Sequence, residues 1–256
     1  MSVVKDFYCD HLRVRVFDTR AEMGQCAGQE AAACVRELLK TQAVVNVMFA
    51  AAPSQNEVLS AFKSAPDIDW SRIHAFHMDE YVGLDSAHPA GFRNFLKKAL
   101  FDELPFGAVY LLNGNAEDPR EEARRYGQLL KDHPLDVCLL GIGENGHIAF
   151  NDPPVADFDD PYYVKIVELE HTCRLQQVHD QCFEAIEQVP THALTVTIPA
   201  LTAARYMYCS VPAATKAVAV ERMIHGEIHT QCPATILRRH DHAALYTDRD
   251  AGKLIL

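Results

Sequence analysis

Apolar segments alternate with helical patterns along this chain, and this alternation restricts the fold more than any other feature. Residues 135–142 are almost continuously hydrophobic, which is typical of a strand buried on both faces of a parallel sheet. Strands that alternate with helices form βαβ units, whose crossover helices cover both faces of the sheet. The sequence therefore predicts a three-layer α/β/α sandwich with a mainly parallel, Rossmann-like sheet.

The hydrophobic patterns also place the individual elements. Strands are predicted at 44–50, 73–78, 109–112, 135–142, 193–198, 206–211 and 243–246. Helices are predicted at 21–40, 55–64, 92–101, 118–131, 172–187 and 213–226. Because no Gly/Ser linker, low-complexity segment or internal repeat divides the chain, we expect one domain over residues 1–256.

Charge and composition exclude several classes of protein. With 24 Lys and Arg against 35 Asp and Glu, the net charge is −11, which repels the phosphate backbone of nucleic acids. No apolar run reaches the roughly 18–20 residues of a membrane span, and the N-terminus lacks a signal-peptide core. The eight cysteines contain no C-x-x-C pair, so we read them as reduced thiols. We expect a cytoplasmic protein that binds neither nucleic acid nor membrane.

A glycine pattern at residues 141–146 matches the G-x-G-x-x-G fingerprint of dinucleotide-binding proteins. That fingerprint requires a helix to begin at its third glycine, with the N-terminus of the helix on the pyrophosphate. Pro153 and Pro154 follow too closely to allow a sustained helix here. We therefore expect no NAD, and interpret the glycines as positions that let backbone approach a ligand and aim Asn145 and His147 into a cleft.

Ligands of parallel α/β sheets bind beyond the carboxyl ends of the strands. Residues 51–56, 77–81 and 141–147 each follow a predicted strand. Asp79 and Glu80 could be solvated loop charges, but an apolar run precedes them and another follows. A carboxylate held there could act as a general base, and His147 could shuttle a proton, although a lone histidine is more often structural.

Several motifs resemble those of the glucosamine-6-phosphate deaminase (isomerase) family. They are the segments FHMDEYVGL (76–84), LLNG (111–114), LGIGENGHIAFNDP (140–153), VPTHALTV (189–196) and TKA (215–217). The likeness runs in order from about residue 44 to 226. The related 6-phosphogluconolactonases share the fold and a Gly-x-Gly-x-x-Gly-His turn, but the sequel Ile-Ala-Phe-Asn-Asp-Pro resembles the deaminase branch.

The resemblance implies catalytic roles for four residues. The carboxylate at Asp79 moves a proton between C2 and C1 of the open-chain sugar, and His147 assists ring opening. Asn145 and Asp152 orient the histidine, and ammonia leaves as the aldose becomes a ketose. Neither a metal nor an organic cofactor is implied.

The resemblance also implies a set of substrate contacts. Lys216 matches the family's phosphate-binding lysine near a helix start, although the pattern alone is typical of a solvated helix lysine. The expected substrate-binding residues are Ser54, Gln55, Asn56, Glu80, Gly143, Gly146 and Lys216.

This chain departs from the family pattern at several positions. The phosphate loop lacks the usual Gly, Ser and Thr, and Glu57 would repel a dianion if it pointed inward. His179 stands where relatives place an arginine. Asn145 replaces a common aspartate, and Asp152 replaces the glutamate that orients the histidine. These departures bear on the exact substrate more than on the reaction class.

The sequence says less about regulation and oligomeric assembly than about the reaction. Of the basic residues that form an allosteric phosphate site in some relatives, only Lys165 remains, so we expect no such allostery. His240 and His242 are more typical of polar residues on the protein surface than of metal ligands. The resemblance allows a homo-oligomer, since relatives range from monomers to hexamers.

We predict an amino-sugar-phosphate isomerase/deaminase, with a small-molecule sugar phosphate as its partner. One alternative is a hydrolase of the 6-phosphogluconolactonase type, in which His147 activates water. The other is a non-catalytic sugar-phosphate-binding protein, which would be stabilised by its ligand without turnover.

Overall fold

The computed structural model describes residues 3–256, whose strands form two sheets. The strands are β1 (Val3–Cys9), β2 (Leu12–Phe17), β3 (Val45–Phe49), β4 (Ile73–His77), β5 (Asp79–Tyr81), β6 (Ala108–Tyr110), β7 (Val137–Leu140), β8 (Val164–Glu168), β9 (His192–Val196), β10 (Tyr206–Val211) and β11 (Ala243–Asp248). The α-helices are α1 (Arg20–Leu39), α2 (Asn56–Lys63), α3 (Phe92–Leu96), α4 (Pro119–Asp132), α5 (His171–His179), α6 (Ile198–Thr202) and α7 (Ala217–His225).

The main sheet has eight strands in the order β1-β2-β11-β10-β7-β3-β4-β6. Every neighbouring pair is parallel except β1 with β2. In the central strand β7, Val137 and Leu139 pack on one face while Cys138 and Leu140 pack on the other, and all four are buried. The predicted α/β/α sandwich with a mainly parallel sheet is confirmed.

A second, antiparallel sheet follows the order β5-β9-β8. The predicted strand at 193–198 lies in this small sheet as β9, not in the main sheet. Its residues from Ala193 to Val196 are all buried, so the hydrophobic pattern alone does not reveal which sheet they join. The short sheet matters for function because β5 directly follows β4 and begins with Asp79.

Other differences from the prediction have local causes. The sequence analysis does not predict strands β1 and β2. Strand β1 lies on an exposed edge of the main sheet, where it carries Lys5 and Asp6. The helix predicted at 172–187 ends at His179, where the chain enters turns and Gln181 adopts a left-handed φ of 60°. Phe183 in this segment is buried against Tyr81, so its hydrophobicity serves tertiary packing instead of helix continuation.

The carboxyl ends of β3, β4, β7 and β10 meet at one edge of the main sheet, as parallel pairing requires. The segments that follow these strands carry most of the predicted site residues. Within residues 3–256, no helix has both the length and the apolar character needed to cross a membrane.

Candidate active site

Asp79 lies at the junction of the two sheets. Strand β4 ends at His77, and after one residue the chain pairs with β9, which sets Asp79 opposite Thr195. The Asp79 side chain lines a cavity yet is only 8 % exposed. Burial, together with the nearby charge of Glu80, raises the pKa of Asp79 well above its ordinary range. A carboxylate in this setting is a stronger base than one in water.

Glu80 points away from that cavity, because successive side chains of a strand alternate between faces. Its carboxylate accepts hydrogen bonds from the backbone N–H groups of Tyr81 (3.0 Å), Phe92 (3.2 Å) and Arg93 (3.0 Å). It therefore holds the first turn of α3, whose N–H groups lack partners within the helix. Glu80 thus has three backbone partners in the structure, and its expected contact with substrate stays a prediction.

The turn after β7 positions His147 through two glycines. A Cβ on Gly143 would lie 2.1–2.3 Å from atoms of the His147 ring, so the ring packs directly against a position that admits no side chain. Gly146 has a φ of +88°, and a Cβ there would lie 2.6 Å from Sγ of Cys232. Gly143 N–H also donates to the carbonyl of His147 (3.0 Å). We conclude that both glycines shape the turn.

Asp152 orients the imidazole in spite of its shorter side chain. Its Oδ1 lies 2.9 Å from Nδ1 of His147, as an ion-pair contact that is not aligned as a hydrogen bond. Asn145 Nδ2 donates to the same oxygen (3.0 Å), and the N–H of Glu170 donates to Oδ2 (3.2 Å). Burial raises the pKa of Asp152, but His147 and these donors outweigh it and leave the pKa below its ordinary value.

Asn145 connects the turn after β7 to the backbone of His147 and to Glu170. Its Oδ1 accepts the N–H of His147 (3.0 Å), and its amide also contacts a carboxylate oxygen of Glu170 (2.5 Å). Asp79, Asn145, His147 and Asp152 are thus brought together at the predicted edge of the sheet.

The central cavity is small, about 60 Å³, and adjoins a larger cavity of about 240 Å³. The two share Ala51, Ala52, Phe92 and Gln177. Asp79 and His147 line the smaller one. A sugar whose reacting carbons lie between these two side chains therefore has room to extend into the larger cavity.

The loop after β3 supplies fewer donors than the sequence predicts. Ser54 lines the cavity, but Gln55 is buried and spends its amide on the carbonyl of Ser210 (3.2 Å). Asn56 is exposed and does not line the cavity. Glu57 lies 2.9 Å from Nε of Arg20, which compensates its charge. Gln55 also lines the small cavity, so its expected phosphate contact stays a prediction, while Asn56 faces solvent outside that cavity.

Lys216 is buried where a short turn, 214–216, leads into α7. Its Nζ has no hydrogen-bond partner among residues 3–256. Burial lowers the pKa of Lys216, while the carboxylates of Asp180 and Glu144 oppose that change. An unpartnered buried ammonium is costly, and an anionic ligand would offset the cost.

Helix α5 contributes residues that the sequence analysis missed. Cys173, Gln176 and Gln177 are buried, and their spacing of three and four residues places them on one helix face. Gln176 accepts the N–H of Glu144 (2.9 Å), and Gln177 lines both cavities. Buried polar residues at this spacing were the available signal.

His179, the last residue of α5, is exposed and lies 3.4 Å from both carboxylate oxygens of Glu144. The position where relatives carry an arginine therefore holds a histidine that already has an acidic neighbour. Lys165 is engaged by the carbonyl of Val155 (2.6 Å) and by Asp160 (2.8 Å).

Comparison with known proteins places the chain among enzymes of amino-sugar metabolism. The sequence profile of the family "Glucosamine-6-phosphate isomerases/6-phosphogluconolactonase" matches residues 18–246. A glucosamine-6-phosphate deaminase of Bacillus cereus (strain G9842) is 40 % identical over 187 residues, which are 73 % of this chain and 70 % of that protein. One from Bacillus thuringiensis (strain Al Hakam) is 39 % identical over the same share of each chain.

Solved structures agree with this similarity. A monomeric glucosamine-6-phosphate deaminase, described as a missing link of the NagB superfamily, has a TM-score of 0.86 at 27 % identity, covering 94 % of this chain and 99 % of that one. A 6-phosphogluconolactonase from Plasmodium vivax has a TM-score of 0.79 at 15 % identity, covering 97 % and 95 %. The latter likeness shows the shared fold alone.

Proposed function

Because the chain belongs to the family of glucosamine-6-phosphate isomerases and 6-phosphogluconolactonases, we propose that it converts glucosamine-6-phosphate to the ketose phosphate and ammonia. The observation that carries the proposal is the placement of Asp79 and His147 on one cavity, the carboxylate with a raised pKa and the imidazole held by Asp152. General acid–base catalysis of an aldose–ketose isomerisation needs such a pair.

His147 serves the first step, opening of the sugar ring. It moves a proton between the anomeric hydroxyl and the ring oxygen, which breaks the bond between C1 and that oxygen and exposes the aldehyde. Asp152 and Asn145 support this step, because they fix the ring of His147 through Nδ1 and through its backbone N–H. A fixed imidazole loses little orientational freedom in the reaction.

Asp79 serves the second step, proton transfer between carbons. It removes the proton from C2, which gives an enolamine, and returns a proton to C1. The resulting imine at C2 takes up one water and releases ammonia, leaving the ketone. The raised pKa of Asp79 supports this role because it strengthens the base, and the amino group of the substrate favours the ionised carboxylate.

Lys216 serves the phosphate of the substrate. Its unpartnered, buried ammonium supports binding of an anion, and Ser54 adds a hydroxyl on the cavity wall. Glu144 and Asp180 lie near enough to act on that ammonium electrostatically. We therefore expect weaker binding of the phosphate dianion than a site with several cations would give.

The test is ammonia release from glucosamine-6-phosphate by the wild-type chain and by Asp79→Asn. Glu122→Gln is the matched control, because Glu122 is also a buried carboxylate but lies on α4 and binds Arg125 and the N–H of Asn113. We expect release by the wild type and by the control, and a loss of at least about 10²-fold in Asp79→Asn. In deuterated water the ketose should gain deuterium at C1.

Three outcomes would contradict the proposal. Full turnover by Asp79→Asn would remove Asp79 from the proton transfer. Hydrolysis of a 6-phosphosugar lactone without ammonia release from the amino sugar would instead support the lactonase alternative. Thermal stabilisation by the phosphosugar without any turnover would favour a binding protein.

We further propose that the protein acts in the cytoplasm. All eight cysteines are free thiols, including the half-buried Cys9, Cys34 and Cys182. Disulfides form and persist in oxidising compartments, so free thiols support a reducing one. Fractionation of cells that produce the protein tests this assignment.

A further inference from the structure

Three potential metal ligands converge behind the imidazole that the proposed mechanism uses. An imidazole nitrogen of His147, a carboxylate oxygen of Asp152 and Sγ of Cys173 all lie within 4.8 Å of one another. All three residues are buried, with Cys173 and Asp152 each 1 % exposed. The first two lie on the turn after β7 and the third on α5, so the fold, and not a local motif, brings them together.

The imidazole nitrogen that faces the carboxylate has a close but poorly aligned partner. Nδ1 of His147 is buried and makes no aligned hydrogen bond among residues 3–256, although Oδ1 of Asp152 is only 2.9 Å away. Cys173 is a free thiol that shares the same carboxylate as a hydrogen-bond acceptor. A cation placed between the three groups would be bound by the imidazole nitrogen, the carboxylate and the sulfur together.

The donor set and its spacing fit a tetrahedral ion. Imidazole nitrogen, thiolate sulfur and carboxylate oxygen are the three ligand types of protein zinc sites. Bonds of about 2.0–2.3 Å in tetrahedral geometry separate donor atoms by about 3.3–3.8 Å. The nitrogen and oxygen would move apart by a few tenths of an ångström from 2.9 Å, and the widest pair would close by about 1 Å from its 4.8 Å limit.

We propose that His147, Asp152 and Cys173 form a binding site for a thiophilic divalent cation such as Zn²⁺, and that its occupation inhibits the enzyme. Binding forms bonds from the cation to Nδ1, to a carboxylate oxygen and to sulfur. The thiol proton leaves to solvent, and a proton on Nδ1 of the neutral ring moves to Nε2. No oxidation or reduction is involved.

Inhibition follows from what the cation does to the imidazole. A ring that is metallated at Nδ1 carries its proton on Nε2 and cannot accept another, so it loses one half of its acid–base function. The carboxylate that orients the ring is also taken by the cation. The inhibition part of this inference rests on the proposed function, whereas the binding part does not.

Cobalt binding to the complete, metal-free protein tests the site without reference to activity. A bound thiolate gives Co²⁺ an intense charge-transfer absorption in the near ultraviolet. We expect that absorption in the wild type and in Cys34→Ser, which removes a half-buried thiol on α1, and its loss in Cys173→Ser. Serine keeps a hydroxyl that can donate to Asp152 but is a poor ligand for a soft ion.

Inhibition by Zn²⁺ is measured in parallel as ammonia release. Measured against its own uninhibited rate, Cys173→Ser should require at least about tenfold more Zn²⁺ for half-inhibition, while Cys34→Ser should behave as the wild type. Absorption that persists in Cys173→Ser, or that disappears in Cys182→Ser, would overturn the site. If the wild type releases no ammonia yet shows the Cys173-dependent absorption, the proposed function fails and the cation site stands.

A measurement on the wild type alone covers the case in which Cys173→Ser does not fold. Cadmium-113 bound to the protein should give a resonance in the range of a single sulfur ligand. The imidazole nitrogen resonances of His147 should shift at the same time. A cadmium resonance typical of oxygen ligands only would overturn the proposal.

Discussion

Replacing Asp79 by asparagine should make the protein more stable while it abolishes catalysis. The carboxylate is buried, it has no hydrogen bond from protein among residues 3–256, and Glu80 adds a second negative charge nearby. Each of these conditions raises the free energy of the ionised form. Asparagine has almost the same shape and no charge, so the substitution removes the unfavourable interaction and leaves the packing intact.

The pH dependence of this effect follows from linkage. The pKa of Asp79 in the folded protein lies above its ordinary value of 3.8, so the folded state binds the proton more tightly than the unfolded state does. Below that ordinary value both states are protonated, and Asp79 costs no stability. As the pH rises through the folded-state pKa the cost grows to its full size. The stabilisation by Asp79→Asn should therefore be largest at and above neutral pH and vanish in acid.

We expect a gain of about 1–3 kcal/mol in the free energy of unfolding at neutral pH, because a buried charge without a partner costs more than the neutral amide that replaces it. For a chain of this size that corresponds to a rise of roughly 2–12 °C in Tm. Thermal unfolding without substrate, followed from pH 4 to pH 8, measures it. Glu80→Gln is the contrasting control and should lower Tm, because that carboxylate accepts three backbone N–H groups.

An equal or lower Tm for Asp79→Asn at neutral pH would refute this reasoning. So would a gain that is the same at pH 4 as at pH 8, because an effect of charge must disappear when the carboxylate is protonated. Glu80→Gln supplies one more check, since removal of its charge should move the acid limb of turnover toward lower pH.

Three further substitutions test other parts of the site. Gly143→Ala should reduce turnover by about 10²-fold, because the new Cβ displaces the His147 ring by an ångström or more. The control Gly127→Ala, on α4, should have little effect on the rate. Lys216→Met should raise KM for the phosphosugar by about 10- to 100-fold with little change in kcat, as steady-state kinetics would show. Burial, with a smaller effect of the Arg93 charge, lowers the pKa of His77 to about 3. This residue by itself should therefore lower the free energy of unfolding by about 1.4 kcal/mol per pH unit between about pH 6.5 and pH 3, opposite in sign to the effect of Asp79. Denaturant unfolding of His77→Gln should show a flatter dependence.

The composition of the core strands was sufficient to predict the architecture. Val137, Cys138, Leu139 and Leu140 are apolar on both faces, and only a covered, mostly parallel sheet buries such a strand completely. The same rule predicted which edge of the sheet carries the site. It did not predict the small sheet, because β9 is equally apolar and pairing partners are a property of the folded chain.

The residues of the candidate site show the same difference between what the sequence predicts and what folding decides. Asp79, His147 and the glycines between β7 and the proline pair were identified from sequence, since motif and strand end coincide there. Glu80 was predicted to contact substrate because the family resemblance implies it, yet alternation along β5 turns its side chain to the face opposite Asp79.

Sequence alone determined the fold class and the edge of the sheet where the candidate residues meet, because these depend on the hydrophobic period. The family motifs supplied the proposed acid–base pair. Tertiary structure decided the electrostatics. The pKa of Asp79 depends on burial between two sheets, Glu57 is compensated by Arg20 from α1, and Cys173 reaches Asp152 across the site. The last two contacts join residues distant in sequence, and all three effects depend on distance and burial, which appear only when the chain is folded.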